Sequence, residues 1–146
     1  MFLEMGVALG FEVRPTFSRE LPADGCWFIP TSIGGMERLP VAALEVAVSE
    51  SGKTLAGSIA TLEAISPSVG ILVIQTDEMM RGLIRDGLVH ANAAAYVAAR
   101  MLRAEELAAR SRQRLSVWGF DELRRRYEVM TGKPSLYALG HLARAP

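Results

Sequence analysis

Apolar residues recur along this chain with two different periods, and the switches between them mark out its elements. Residues 11–17 alternate, with Phe11, Val13 and Phe17 set against Glu12, Arg14 and Thr16. A period of two predicts a half-buried strand, and Pro15 makes it an edge strand or bends it. LPADG (21–25) is turn chemistry, and CWFIP (26–30) is a short apolar strand. TSIGGMERLP (31–40) reads as a loop, and VAALEVAVSE (41–50) as the strongest strand. SVGILVIQ (68–75) is almost continuously apolar, as a strand covered on both faces should be. LSVW (115–118) predicts one more short strand.

Between these lie helical stretches. MFLEMGVAL (1–9) is stopped by Gly10. SGKTLAGSIATLEAI (51–65) has Ser51 near its N-cap and ends at Ser66-Pro67, because proline disfavours helical geometry in the residue before it. A short helix over 77–87 ends at Gly87. An alanine-rich helix over 90–114 carries Glu106 and Arg110 at a spacing suited to pairing. FDELRRRYEVMTG (120–132) is opened by Asp121 or a neighbour and closed by Gly132 and Pro134.

The turn-linked early strands predict an antiparallel hairpin. The strand–helix–strand unit 41–48, 52–65, 69–75 predicts a parallel pair with a right-handed crossover. The expected fold is therefore α/β, a mixed central sheet flanked by helices on both faces. A length of 146 residues suits one domain, 1–146.

Composition narrows the class. Half the residues are hydrophobic, enough for a core and too many for a disordered chain. Formal net charge is zero, so charge alone gives no reason to expect nucleic acid. The distribution is uneven: residues 1–80 hold 4 basic and 10 acidic side chains, and residues 81–146 hold 12 and 6. Two solvated faces of opposite sign explain this. So does an acidic site beside an arginine-rich half that meets phosphates. The single cysteine, Cys26, excludes an intrachain disulfide and predicts a buried small hydrophobe in a reducing, cytoplasmic compartment. The opening MFLEMGVALGF lacks a signal-peptide pattern, and SVGILVIQ is too short to span a membrane.

One constellation carries chemistry. In 41–50, Leu44, Val46 and Val48 share one face; Ala43, Glu45, Ala47 and Ser49 share the other. A glutamate inside such a strand is costly unless it is paired, metal-bound or open to a cleft. Asp24 opens the preceding strand. If the two strands are neighbours, Asp24 and Glu45 converge at one end of the sheet. Two carboxylates with water suit Mg2+ or Mn2+, and such a cation can activate water against a phosphate.

The order of helix, strand, Asp24 at a second strand, Glu45 in a third, helix and apolar strand resembles the PD-(D/E)XK nuclease superfamily. That superfamily includes many restriction endonucleases and DNA-repair nucleases. The resemblance spans residues 1–75 by order of elements and loosely the rest. It implies a restriction-endonuclease-like fold, DNA as substrate, and Asp24 and Glu45 as metal ligands. Glu4 matches a helix-borne acidic residue of many members, and Gln75 is a weaker polar candidate. The motif's lysine belongs two residues after the glutamate, where this chain has Ala47, and the motif's proline is displaced to Pro22. Lys53, at the start of the following helix, is the candidate substitute because its side chain is long and flexible. Without it the fold would bind DNA or serve as a structural, oligomeric subunit.

Plainer readings stand beside these. Asp24-Gly25 is a common turn pair. Glu45 could pair with Arg14 across the sheet. Glu4 suits an exposed helix position. Arg124, Arg125 and Arg126 form either a solvated helix face or a phosphate-contacting patch near Trp118 and Tyr127. Gly52-Lys53-Thr54 lacks the upstream glycine of a phosphate loop. His90 and His141 have no paired ligand spacing, and Ser49 and Ser51 have no evident histidine partner. The apolar face of helix 91–102 (Ala94, Val97, Ala98, Met101) serves the core or a homodimer.

Overall fold

The computed structural model describes residues 1–32, 37–48 and 52–135. Helix α1 (Phe2–Ala8) leads into β1 (Glu12–Arg14), β2 (Gly25–Pro30) and β3 (Arg38–Ala47). Then come α2 (Gly52–Ile65), β4 (Val69–Ile74), α3 (Thr76–Arg85), α4 (His90–Ala109), β5 (Leu115–Gly119) and α5 (Phe120–Thr131). This is the element order that the sequence predicts.

The five strands form one sheet in chain order, β1-β2-β3-β4-β5. β1, β2 and β3 run antiparallel in succession. β4 is parallel to β3, and β5 is parallel to β4. The mixed sheet follows from connection length. Turns can reverse direction, whereas parallel neighbours require a helical crossover.

Each face of the sheet holds its own core. Cys26, Ala43, Ala47, Leu72 and Ile74 meet Leu55, Ile59 and Leu62 of α2, Met79 of α3, and Val97 and Ala104 of α4. On the other face Trp27, Leu44, Ile71 and Val73 meet Phe2 and Met5 of α1 and Phe120, Leu123 and Tyr127 of α5. β4 is covered on both sides, which explains its unbroken apolar run.

Small residues set the closest approaches. A Cβ on Gly70 of β4 would stand 2.3 Å from Leu115 Cδ2 and 3.4 Å from Leu62 Cβ. Gly70→Ala is expected to lower stability by about 1–3 kcal/mol through overpacking. Urea denaturation checks it, and an unchanged midpoint would show that Leu115 moves aside freely.

Several boundaries differ from expectation. β3 begins at Arg38 rather than 41, and Arg38 donates from Nε to Glu12 Oε2 at 2.9 Å, tying β3 to the edge strand. α4 ends at Ala109, not 114. Ser111 then turns the chain, donating to Glu63 at 2.6 Å and accepting from the Gln113 N–H at 3.1 Å. Arg110 is thus the C-cap, outside the helix, and Glu106 pairs with Arg103 at 3.1 Å instead. The buried stripe of α4 is Ala93, Val97, Ala104 and Ala108, while Ala98 is exposed. Gly119 caps α5, one residue before the expected region begins, and Gly132 closes it at φ +67°. Ser49, Ser51 and His141 lie outside the described residues.

No described helix is long and apolar enough to cross a membrane.

Candidate functional site

Asp24 stands immediately before β2, opposite the carboxyl-terminal part of β3. Its backbone N–H donates to the Leu44 carbonyl at 2.9 Å. Its Oδ2 accepts the Val46 N–H at 2.8 Å. These two bonds bracket Glu45. The regular β2–β3 register ends at Gly25–Leu44, so the Asp24 carboxylate takes a place that a strand carbonyl would otherwise fill. The residue that looked like a turn former is a side-chain extension of the ladder.

This gives Asp24 a structural role that can be separated from any other. Asp24→Asn keeps an acceptor oxygen for Val46, whereas Asp24→Ala removes it. The alanine variant is expected to lose about 0.5–1.5 kcal/mol and the asparagine variant less. Thermal unfolding of the pair checks this, and equal losses would overturn the assigned role.

Glu45 is half-buried between Ala43 and Ala47, both of which lie in the core beneath α2. Cys26 is paired with Ala43 across the strands and so shares that face. Burial first, and then the nearby Glu45 charge, push the Cys26 thiol up to about 11. The thiol therefore stays protonated at neutral pH. Its pKa is higher folded than unfolded, so its contribution to stability is intact below pH 9.0 and is lost as pH rises toward about 11. Native protein at pH 8 is expected to resist thiol-labelling reagents until it unfolds, and rapid labelling would contradict the burial.

Asp24 thus bonds the β3 backbone on either side of Glu45. Asp24 makes no other hydrogen bond or ion pair with a described residue, which leaves its second oxygen available. Two hard oxygen donors fit a small divalent cation that keeps several waters. No group of three His, Cys, Asp or Glu side chains able to hold a metal exists among the described residues.

The other candidates sit as follows. Lys53 is in the first turn of α2, the helix that covers Glu45's face; its side chain lies outside the described residues. Gln75 follows β4 at the carboxyl ends of β3 and β4, where its N–H donates to the Ala47 carbonyl at 2.8 Å. Glu4 is on α1, on the far face of the sheet, where it accepts from the Met1 amino group at 3.2 Å and the Tyr127 hydroxyl at 3.4 Å. It is not gathered with Asp24 and Glu45. Arg14 is 3.5 Å from Glu12. His90 is exposed.

The arginine run is also on α5, beyond the far face. Arg124 pairs with Asp121, Arg125 with Glu122, and Arg126 with Glu122 at 2.7 Å. Arg126 also lies over the Trp118 ring, 4.6 Å from its centroid. Two carboxylates in the first turn of α5 thus offset most of the charge that the run displays. Its neighbours Thr76 and Gly119 line an open cleft of about 710 Å³ at the carboxyl ends of β4 and β5.

Sequence reasoning missed a second groove, of about 360 Å³, between α3 and α4. Its signal was the i, i+4 spacing of Tyr96 and Arg100, hidden in a helix that reads as alanine core.

The chain matches no protein-family model, no curated protein and no solved structure.

Proposed function

We propose that this chain is a restriction-endonuclease-like domain acting on DNA phosphodiesters, with Asp24 and Glu45 holding a divalent cation. The observation that carries this reading is the bracketing of Glu45 by the two bonds from Asp24 to β3. The order of α1, an antiparallel three-strand meander, a crossover helix and a parallel strand supports it. When bound, Mg2+ or Mn2+ would supply an activated water and charge stabilisation at the phosphate. The chain's own contribution is to fix both carboxylates: Asp24 through the Val46 N–H, Glu45 through a rigid, small-residue strand face. Lys53, in the first turn of α2, is the residue assigned to the missing lysine's role.

A second reading has its own observation. Ala47, in the lysine's position, is 2% exposed and packed into the core. A chain with no substitute lysine would bind nucleic acid without cutting it, or act as a structural subunit. Incubation of plasmid and single-stranded DNA with Mg2+ or Mn2+ separates the two. Cleavage by wild type that disappears in Lys53→Ala supports the hydrolase. Salt-sensitive DNA binding with no cleavage under either metal supports the second reading.

A further inference from the structure

The groove between α3 and α4 opens beside Val48, the residue after β3, and therefore lies at the carboxyl end of the strand that carries Glu45. Its volume of about 360 Å³ is within the range of small-molecule sites, roughly 300–1,000 Å³. Met79 and Leu83 contribute apolar lining, and Tyr96 and Arg100 stand one turn apart on α4. Tyr96 is 50% exposed, although it is a large aromatic residue.

The groove lining carries two carboxylates, Glu78 and Asp86, and two guanidiniums, Arg85 and Arg100. Glu78 is paired with Arg81 at 2.6 Å, and Asp86 lies 3.8 Å from Arg85. Arg100 makes no ion pair with a described residue, unlike Arg103 one turn on or the arginines of α5. A half-buried guanidinium without a carboxylate can take a phosphate.

Gly82 adds a separate observation. It lies inside α3, where glycine costs about 1 kcal/mol relative to alanine. A Cβ there would meet nothing within 4 Å, so no packing contact requires the glycine. Gly82 lines the groove, and a longer side chain there has open space to occupy.

We propose that this groove binds one nucleotide of a single-stranded nucleic acid. The base stacks on Tyr96 and the phosphate meets Arg100. Stacking on an aromatic ring beside a cation is how proteins hold single strands without reading sequence. The inference rests on the nucleic-acid reading above for its class of ligand, and it adds a strand-holding surface next to the carboxylate pair.

The test is fluorescence anisotropy of a labelled single-stranded oligonucleotide, about 12 nucleotides long, in EDTA at low salt. Tyr96→Ala is expected to weaken binding by about 5- to 100-fold. Arg100→Ala should reduce the slope of log affinity against log salt by about 0.7. Gly82→Leu should block binding while improving the helix, so its effect is separable from unfolding. Wild-type affinity in both Tyr96→Ala and Gly82→Leu would overturn the inference, as would a wild type that binds only duplex or nothing. If DNA is cut while the groove variants bind normally, the groove assignment falls and the hydrolase stands. If the groove variants lose binding and no metal supports cleavage, the groove stands and the hydrolase falls.

Discussion

Glu45→Ala is expected to keep its fold, lose divalent-cation binding and reduce DNA cleavage to background. The substitution adds a third alanine between Ala43 and Ala47 on a strand whose backbone bonds to β2 and β4 are untouched. It also leaves the buried residues of both faces of the sheet unchanged. Cation binding can be read without catalysis. A ligand that binds only the folded state at one hundred times its dissociation constant adds about 2.7 kcal/mol of stability. Mn2+ should therefore raise the melting temperature of wild type and leave that of Glu45→Ala unmoved. An equal rise in both proteins would place the cation elsewhere, and calorimetric titration would then show an undiminished affinity. Cleavage loss should exceed a hundredfold, since even one charge-stabilising group is worth about 10²–10³ in rate.

Trp27→Ala is expected to cost about 3–5 kcal/mol. Trp27 is 6% exposed and is stacked between Phe2, 4.5 Å away, and Phe11, 5.6 Å away. Its indole N–H donates to the Phe2 carbonyl at 3.0 Å. Beside it, a Cβ on Gly6 would stand 2.6 Å from Trp27 Nε1 and 2.6 Å from Val13 Cγ1. The ring therefore fills the space between α1 and β2, and the missing Gly6 side chain lets it do so. Alanine would leave a cavity and strip the carbonyl of its donor. Circular dichroism during thermal unfolding should show a fall of roughly 10 °C in a domain of this size. A fall of only a degree or two would mean that α1 adds little to the fold.

The periodicity of residues 41–48 and 68–75 sufficed to place the parallel pair, because burial on one or both faces writes directly into the side-chain pattern. The faces of β3 were legible for the same reason: Leu44 and Val46 lie against one cluster, Ala43 and Ala47 in the other. The bond that Asp24 makes to β3 was not legible because its partner, the Val46 N–H, is remote in sequence and belongs to the backbone, which no residue pattern records. Glu4 was assigned to the site by its position along the chain, yet which side of a sheet an initial helix covers depends on tertiary packing. The arginine run advertised charge in one dimension. In three, Asp121 and Glu122 sit one turn away and offset it. Alanines on α4 carry almost no amphipathic contrast, so Ala98 and Ala104 could not be told apart before the helix was seen against β5.

The agreement between strand order and chain order has a consequence for synthesis. Each new strand adds to the growing edge of the sheet beside the one made just before it, so a nascent chain can build the sheet as it leaves the ribosome. The last helix behaves differently. Phe120, Leu123 and Tyr127 of α5 close the same cluster as Phe2 and Met5, and the Tyr127–Glu4 bond joins residues 123 positions apart. Until translation delivers α5, the part of this cluster that Phe120, Leu123 and Tyr127 complete stays open beside the first helix. A chain that has released β5 but not α5 would therefore present a complete sheet with one apolar face only partly covered, the form of this protein that chaperones would most readily capture.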